Sequence, residues 1–371
     1  MIVTGEASGD LHGAHLVHAL KTRFPAATIC GVGGTHLQAE GVSMLSSSDE
    51  LAVVGVVEVL KKLRTVFKVY KTLSRYLREQ HPDVLILVDY PEFNLRLARV
   101  ARKLQIPIVY YISPQVWAWR SGRVRLIQRL VHKMIVIFPF EREFYQQHGV
   151  AVEWVGHPLV ERVQSSLSRE EFCRQHGFEA SRPLVGFLPG SRESEVERLL
   201  PVMLEAIRRI HSQDSAVQFV LPLASSLERS SLFENVALPP HVRLIRQQTY
   251  DAIHAADLIV TASGTVTVET AILETPMIIT YIVSPLTYWL GRMFIKVPFI
   301  GMVNLIAGKE VAKELIQDMV TPDAIESEVL RLLQEKETLT KMKNELRIVH
   351  QKLGEPGAAD RAAMVVADIL A

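Results

Sequence analysis

Ser263-Gly264-Thr265 closes a continuous apolar run, 257–262, and opens a segment of helical spacing that Pro276 ends. A strand that turns into a helix on Ser-Gly-Thr offers free backbone N–H groups and a positive dipole end, which suit phosphate oxygens. Glu269 lies about one turn into that helix. Its carboxylate can accept hydrogen bonds from two hydroxyls of a ribose. Leu188-Pro189-Gly190-Ser191-Arg192 repeats the arrangement at the end of a second apolar run. Gly190 lets the backbone approach a ligand, Ser191 adds donors, and Arg192 adds a charged fork suited to a diphosphate. Alone, Pro-Gly-Ser is as readily an ordinary turn beside a surface arginine. Two such turns at strand ends of one parallel sheet favour a nucleotide-sugar site.

The first half carries a different set. Asp89 ends the run Val84–Val88 and precedes Tyr90-Pro91-Glu92-Phe93-Asn94. An acid at the carboxyl end of a central strand can serve as general base. On spacing alone, a cap for the helix beginning near Glu92 is the more common use. Thr4-Gly5-Glu6-Ala7-Ser8-Gly9-Asp10 links the first strand to the first helix. Its acids repel a diphosphate, so a dinucleotide site is not expected, and Glu6 and Asp10 read as acceptors for sugar hydroxyls or as structural caps. Ser113-Pro114-Gln115-Val116-Trp117-Ala118-Trp119-Arg120 also follows a strand. Its tryptophans can stack on sugar faces or flank acyl chains, with Arg120 meeting a phosphate, or they anchor a core.

These loops need strands and helices in alternation to hold them, and the chain supplies both. Strands are expected at 1–4, 28–32, 84–89, 108–112 and 134–138, and then at 184–188, 217–222, 242–245, 258–261 and 277–281. Amphipathic helical runs lie between them, and a long helix is expected from Pro322 to Leu353. The fold class is α/β: two Rossmann-like domains, 1–163 and 164–353, facing a cleft, with a last helix at 356–371 packing back on the first.

The 371 residues are 48% hydrophobic and 22% charged, a folded-protein composition, and the two cysteines form neither a disulfide framework nor a metal spacing. Asp-x-Asp, the Walker A loop, His-Glu-x-x-His and Gly-x-Ser-x-Gly are all missing, which weighs against a metal-held diphosphate, an ATPase, a zinc hydrolase and a typical serine hydrolase. No metal and no cofactor is expected. The N-terminus lacks a secretory pattern, and the uncharged stretch 275–291 is interrupted by Pro276 and Pro285 and falls short of a span.

Net charge is +1, yet residues 1–160 hold 19 Lys and Arg against 13 Asp and Glu. That surplus invites an anionic partner. The run 56–80 concentrates it: an apolar stripe at Val56, Leu60, Leu63, Phe67, Tyr70 and Leu77 opposes Lys61, Lys62, Arg64, Lys68, Lys71, Arg75 and Arg78. Such a helix can lie on anionic lipid or simply present a solvated basic face.

Gly5–Asp10, Ser113–Arg120, Leu188–Arg192 and Asn304-Leu305-Ile306-Ala307-Gly308 together, in this order and spacing, resemble the lipid-A-disaccharide synthase family over essentially the whole chain. Met1, Ile2 and Val3 alone precede Thr4, a shorter first strand than is usual there. The resemblance implies an inverting, metal-independent GT-B glycosyltransferase, with UDP-2,3-diacylglucosamine as donor and 2,3-diacylglucosamine 1-phosphate as acceptor. It places the donor on Gly190, Ser191, Arg192, Ser263, Gly264, Thr265, Glu269 and Asn304. The acceptor falls on Glu6, Ser8, Gly9, Asp10, Ser113, Gln115, Trp117, Trp119 and Arg120. Asp89 would act as base and Arg192 would hold the leaving group. It also implies peripheral attachment to the cytoplasmic face of the inner membrane, with no nucleic acid as partner and a homodimer left open. A UDP-sugar epimerase, another UDP-sugar transferase and a non-catalytic binding protein are the rival readings on this fold.

Overall fold

In a computed structural model the chain is described throughout, except at residues 52–55, 120, 228–232, 234–235, 286–287, 290–296 and 371. It forms two compact units, Met1–Pro158 with Leu353–Ala371, and Leu159–Lys352. The boundary expected after residue 163 thus falls earlier, because Leu159, Val160 and Val163 bury their side chains and group with the second unit.

The first unit is built on a parallel seven-stranded sheet, ordered β3-β2-β1-β4-β5-β6-β7. Its strands are β1 (Ile2–Thr4), β2 (Cys30–Gly33), β3 (Ser43–Ser47), β4 (Leu85–Val88), β5 (Ile108–Tyr111), β6 (Lys133–Val136) and β7 (Val152–Trp154). β4 and β5 are buried at every position, as a parallel sheet covered on both faces requires. On one face Val3, Leu85, Leu87 and Tyr110 pack with residues of α3 (Val56–Gln80) and α4 (Pro91–Lys103). On the other, Ile2, Ile86, Val88 and Val109 pack with α1 (Ala7–Arg23) and with Ala362, Ala363 and Val366 of the C-terminal helix Ala358–Leu370. A short α2 (Thr35–Ala39) follows β2.

The second unit repeats the plan with a parallel sheet ordered β10-β9-β8-β11-β12-β13. Its strands are β8 (Leu184–Leu188), β9 (Gln218–Leu223), β10 (Val242–Arg246), β11 (Leu258–Ala262), β12 (Met277–Tyr281) and β13 (Glu314–Ile316). Three edge or near-edge strands escaped the pattern reading. β3 is Ser-Met-Leu-Ser-Ser, with too little apolar content to register, while β7 and β13 have three residues each. The helix expected over 322–353 is two helices, Pro322–Gln334 and Lys336–Lys352, parted where Glu335 leaves helical geometry.

Both sheets reverse their winding once, and the two reversals decide where ligands belong. In the first unit the switch lies between β1 and β4, whose ends carry Gly5-Glu6 and Asp89. In the second it lies between β8 and β11, whose ends carry Gly190-Ser191-Arg192 and Ser263-Gly264-Thr265.

Candidate functional site

At the switch of the second unit a cavity of about 640 Å³ is lined by Gly190, Ser191, Arg192, Ser263, Gly264, Thr265 and Glu269, so the structure brings most of the expected donor residues together. Gly190 has φ +127°, and a Cβ there would lie 2.6 Å from Glu195 Oε2. Only glycine lets the chain turn at this point. Arg192 caps the helix Glu193–Gln213 with extended backbone, leaving its side chain 79% exposed and paired to Glu195 at 3.2 Å. Glu195 also accepts the Ser191 N–H at 3.2 Å. Across the cavity the helix Thr265–Ile272 begins, with Thr265 and Val266 in the lining. Ser263 spends its own donors elsewhere: its hydroxyl bonds Ile300 O at 3.2 Å and its N–H bonds Thr280 O at 2.9 Å. An anion on this side would therefore meet the first-turn N–H groups rather than the serine hydroxyl.

Glu269 accepts a hydrogen bond from the Tyr250 hydroxyl at 3.1 Å. Burial raises its pKa, opposed by that bond and by the Arg162 charge. Sequence reasoning missed Tyr250, Arg162 and Glu195. The first follows β10 through Gln247-Gln248-Thr249, which also line the cavity, so its place after a strand end was the available signal. Removing Glu269 should free Tyr250 and delete charged acceptors from the place expected for a ribose. A charge-assisted hydrogen bond contributes about 1.5–3 kcal/mol, so Glu269→Ala should weaken UDP binding by roughly 10- to 100-fold. Calorimetry on the folded variant checks this, and unchanged affinity removes the ribose assignment.

Asn304 does not join this cavity. It is fully buried, donating to Ala312 O and Glu314 Oε1 and accepting from the N–H groups of Val311 and Ala312. All its polar capacity serves to fold the turn after the helix Met302–Ala307, so its expected role in donor contact is replaced by a structural one. Beyond this turn, Lys309 pairs with Glu345 and Lys313 with Glu328.

In the first unit, Asp89 and Tyr90 follow β4 with φ of +47° each, a region that residues other than glycine rarely occupy. The turn is held by bonds onto the Asp89 carbonyl from Asn94 Nδ2 at 2.7 Å and Tyr110 Oη at 2.5 Å. Asp89 is not the helix cap. That position is Tyr90, which makes no side-chain cap bond. Burial, with Glu6 adding like-charge repulsion, raises the Asp89 carboxyl to about 6.

The remaining acceptor candidates separate. Glu6, Ser8 and Gln115 are exposed. Gly9 is buried at the start of α1. Asp10 is 3% exposed and its two oxygens accept the N–H groups of Gly34, His36 and Leu37. It caps α2 from a distance, and no sugar hydroxyl is needed to satisfy it. Ser113 is buried, bonded to Tyr145 Oη at 2.8 Å and to Pro114 O, so it too is spent within the fold. Trp117 is half-buried, gives its indole N–H to Glu141 at 3.0 Å and meets Phe140 edge-on at 4.8 Å. Glu141, missed by sequence reasoning, is 2% exposed, and burial lifts its carboxyl to about 7. Trp119 shares the short helix Val116–Trp119, and Arg120 lies outside the described residues.

On α3 the buried stripe is Val69, Leu73 and Leu77. Phe67, expected to face inward, is 57% exposed with Lys71 Nζ 4.7 Å above its ring. The residues Val69, Leu73 and Leu77 set the helical phase, which turns Phe67 outward. Arg64, Lys68, Lys71, Arg75 and Arg78 are exposed, while the side chains of Lys61 and Lys62 lie outside the described residues. Among the described residues no helix is long and apolar enough to cross a membrane.

A family profile described as lipid-A-disaccharide synthetase matches residues 1–368. Proteins named lipid-A-disaccharide synthase from Syntrophus aciditrophicus and Geobacter metallireducens are 49% and 46% identical, each alignment covering all of this chain and 97% of the relative. Among solved structures, a UDP complex of Staphylococcus aureus MnaA gives a TM-score of 0.67 at 12% identity, covering all of this chain and 96% of that one. Acinetobacter baumannii MurG gives 0.59 at 16%, covering 99% and 98%. At such identities the structural likeness establishes the shared fold alone.

Proposed function

The chain belongs to the lipid-A-disaccharide synthase family and is a glycosyltransferase that forms the lipid A disaccharide, and from that premise we propose how its two units divide the reaction. The second unit takes UDP-2,3-diacylglucosamine, with the diphosphate between Arg192 and the N-terminus of the helix Thr265–Ile272 and the ribose on Glu269. The first takes 2,3-diacylglucosamine 1-phosphate, with its 6-hydroxyl at Asp89. Asp89 accepts the hydroxyl proton as that oxygen bonds the anomeric carbon from the face opposite the diphosphate. The bond from that carbon to the diphosphate breaks, UDP leaves with the electron pair, and a β-1,6 linkage results. Arg192 and the helix N–H groups are donors already in place for the charge that develops, a role otherwise filled by a metal ion.

The observation that carries this reading is the convergence of the two strand-end turns and Glu269 on one cavity at the switch of the second sheet. The deciding experiment is mass spectrometry of the products from the two acylated sugars in buffer with excess EDTA. Disaccharide phosphate and UDP in equal amounts are expected. Turnover only after Mg²⁺ or Mn²⁺ is restored would mean that the diphosphate is held otherwise.

We also propose peripheral attachment to anionic membrane through the basic face of α3. Each Lys or Arg near such a surface contributes about 1 kcal/mol, so the group should bind at low salt and release at high salt. Lys61, Lys62, Lys68 and Lys71 all changed to Glu should abolish co-sedimentation with anionic vesicles. Equal sedimentation of the folded variant and its parent would leave α3 as ordinary solvated surface.

A further inference from the structure

A second cavity, of about 1160 Å³, lies between α3 and α4 in the first unit. Its apolar lining comes from Val66, Phe67, Tyr70, Phe93, Val100 and Leu104, and apart from Tyr90 and Glu92 the rest is cationic: Arg64, Arg78, Arg96, Arg99 and Lys103. All five cations are exposed, and among the described residues none pairs with a carboxylate. Glu92, the one acid in the lining, is held by Arg123 at 2.6 Å. Folding requires neither an open apolar trough nor five unneutralised charges along it. The combination fits an amphiphile with an apolar chain and an anionic head.

The groove also has a direction. Tyr70 meets Phe93 edge-on at 6.2 Å, and Phe93 stacks on Tyr90 at 6.1 Å, forming an aromatic wall that ends at Tyr90. Tyr90 is the neighbour of Asp89, and its ring packs so closely over Gly5 that a Cβ there would fall 2.4 Å from it. From Tyr90 to Leu104 the trough follows α4 for about 20 Å, away from the proposed base. An amphiphile with its reacting head at Asp89 would lay its tail there.

We propose that this groove is the acyl-chain subsite of the phosphorylated acceptor: one fatty-acyl chain lies between α3 and α4, and Arg96 and Arg99 attract the acceptor phosphate. The inference rests on the function proposed above and adds the residues that read chain length. Each methylene buried changes affinity by roughly fourfold. The acceptor KM should therefore fall steeply with each added methylene until the chain reaches Leu104, then level off.

The test measures acceptor KM for a series of chain lengths in detergent solution, in the full-length parent and in Val100→Trp, which fills the middle of the trough. Long-chain KM should rise at least tenfold and lose its dependence on length, with UDP affinity unchanged. Should that variant not fold, Leu104→Trp at the far end should shift the plateau to shorter chains. Arg96→Glu with Arg99→Glu should raise KM for the phosphorylated acceptor more than for its dephosphorylated form. A parent-like length dependence in folded Val100→Trp or Leu104→Trp overturns the assignment. So does a charge-reversal effect seen with anionic vesicles but not in detergent, which would make the rim a membrane contact. Failure of the parent itself to release UDP from the acylated pair would instead refute the proposed function.

Discussion

Asp89→Asn is expected to lower turnover by ~10²–10⁴ while leaving UDP binding intact, because the amide keeps the size of the carboxylate but cannot accept a proton. The structure sharpens the test against a merely structural aspartate. The carboxyl is raised to about 6 by burial and by Glu6, so the folded protein holds that proton more tightly than the unfolded chain. Ionisation of Asp89 then costs stability. The cost is absent below the unfolded value near 4, grows as pH rises to about 6, and stays constant above that. At 1.36 kcal/mol per unit it reaches about 3 kcal/mol at most. Asp89→Asn should therefore melt at or above the parent temperature at neutral pH, while its activity collapses. In the parent, activity should fall about tenfold per pH unit below about 6 as the base is protonated. A folded variant with near-normal turnover, or a parent rate flat through that range, would remove Asp89 as base.

Arg192→Ala is expected to cost on the order of 10²-fold or more in turnover, the usual consequence of deleting a donor to a developing anion. Its exposure is the reason to make the measurement. An arginine 79% exposed and paired to a carboxylate three residues on is, by its contacts alone, a surface ion pair that contributes about 0–1 kcal/mol to stability. Its position in the lining of the cavity beside Ser191 argues otherwise. Those alternatives differ in what they change. The surface pair affects melting slightly and catalysis not at all, whereas the anion-holding role affects kcat with little effect on folding. Arg192→Lys should restore part of the loss, keeping the charge without the planar fork.

The central strands were legible because burial on both faces writes them as unbroken apolar runs: β8 and β12 occupy the expected residues from end to end. The polar strand β3 and the three-residue β7 and β13 had no such run to show. For the site, the position of a residue at a strand end could be read, but how its polar atoms are used could not. Gly190, Arg192 and Glu269 follow from the chain order of strand, turn and helix. Asp10, Ser113 and Asn304 sit in equally suggestive motifs, yet each bonds partners that the fold brings near. Asp10, for example, caps a helix across the β2 loop. Phe67 was misplaced for a related reason, since a stripe read from one helix alone does not fix which side meets the sheet.

The hydrogen bond from His157 N–H to Leu353 O, 2.8 Å long, joins the two points at which the chain leaves the first unit and returns to it. Arg361 reinforces the return by donating to Val155 O at 2.8 Å. Topologically the second unit is an insertion into the first, and this inverts the usual order of vectorial folding. As the chain leaves the ribosome, Leu159–Lys352 emerges as one continuous segment. Met1–Pro158, made first, lacks one side of the packing around α1 until Ala362, Ala363 and Val366 are synthesised. The half that carries Asp89 is thus the last to be completed, and a ribosome that stalls before the final helix leaves a nascent chain with the segment around Glu269 made and the Asp89 half unfinished.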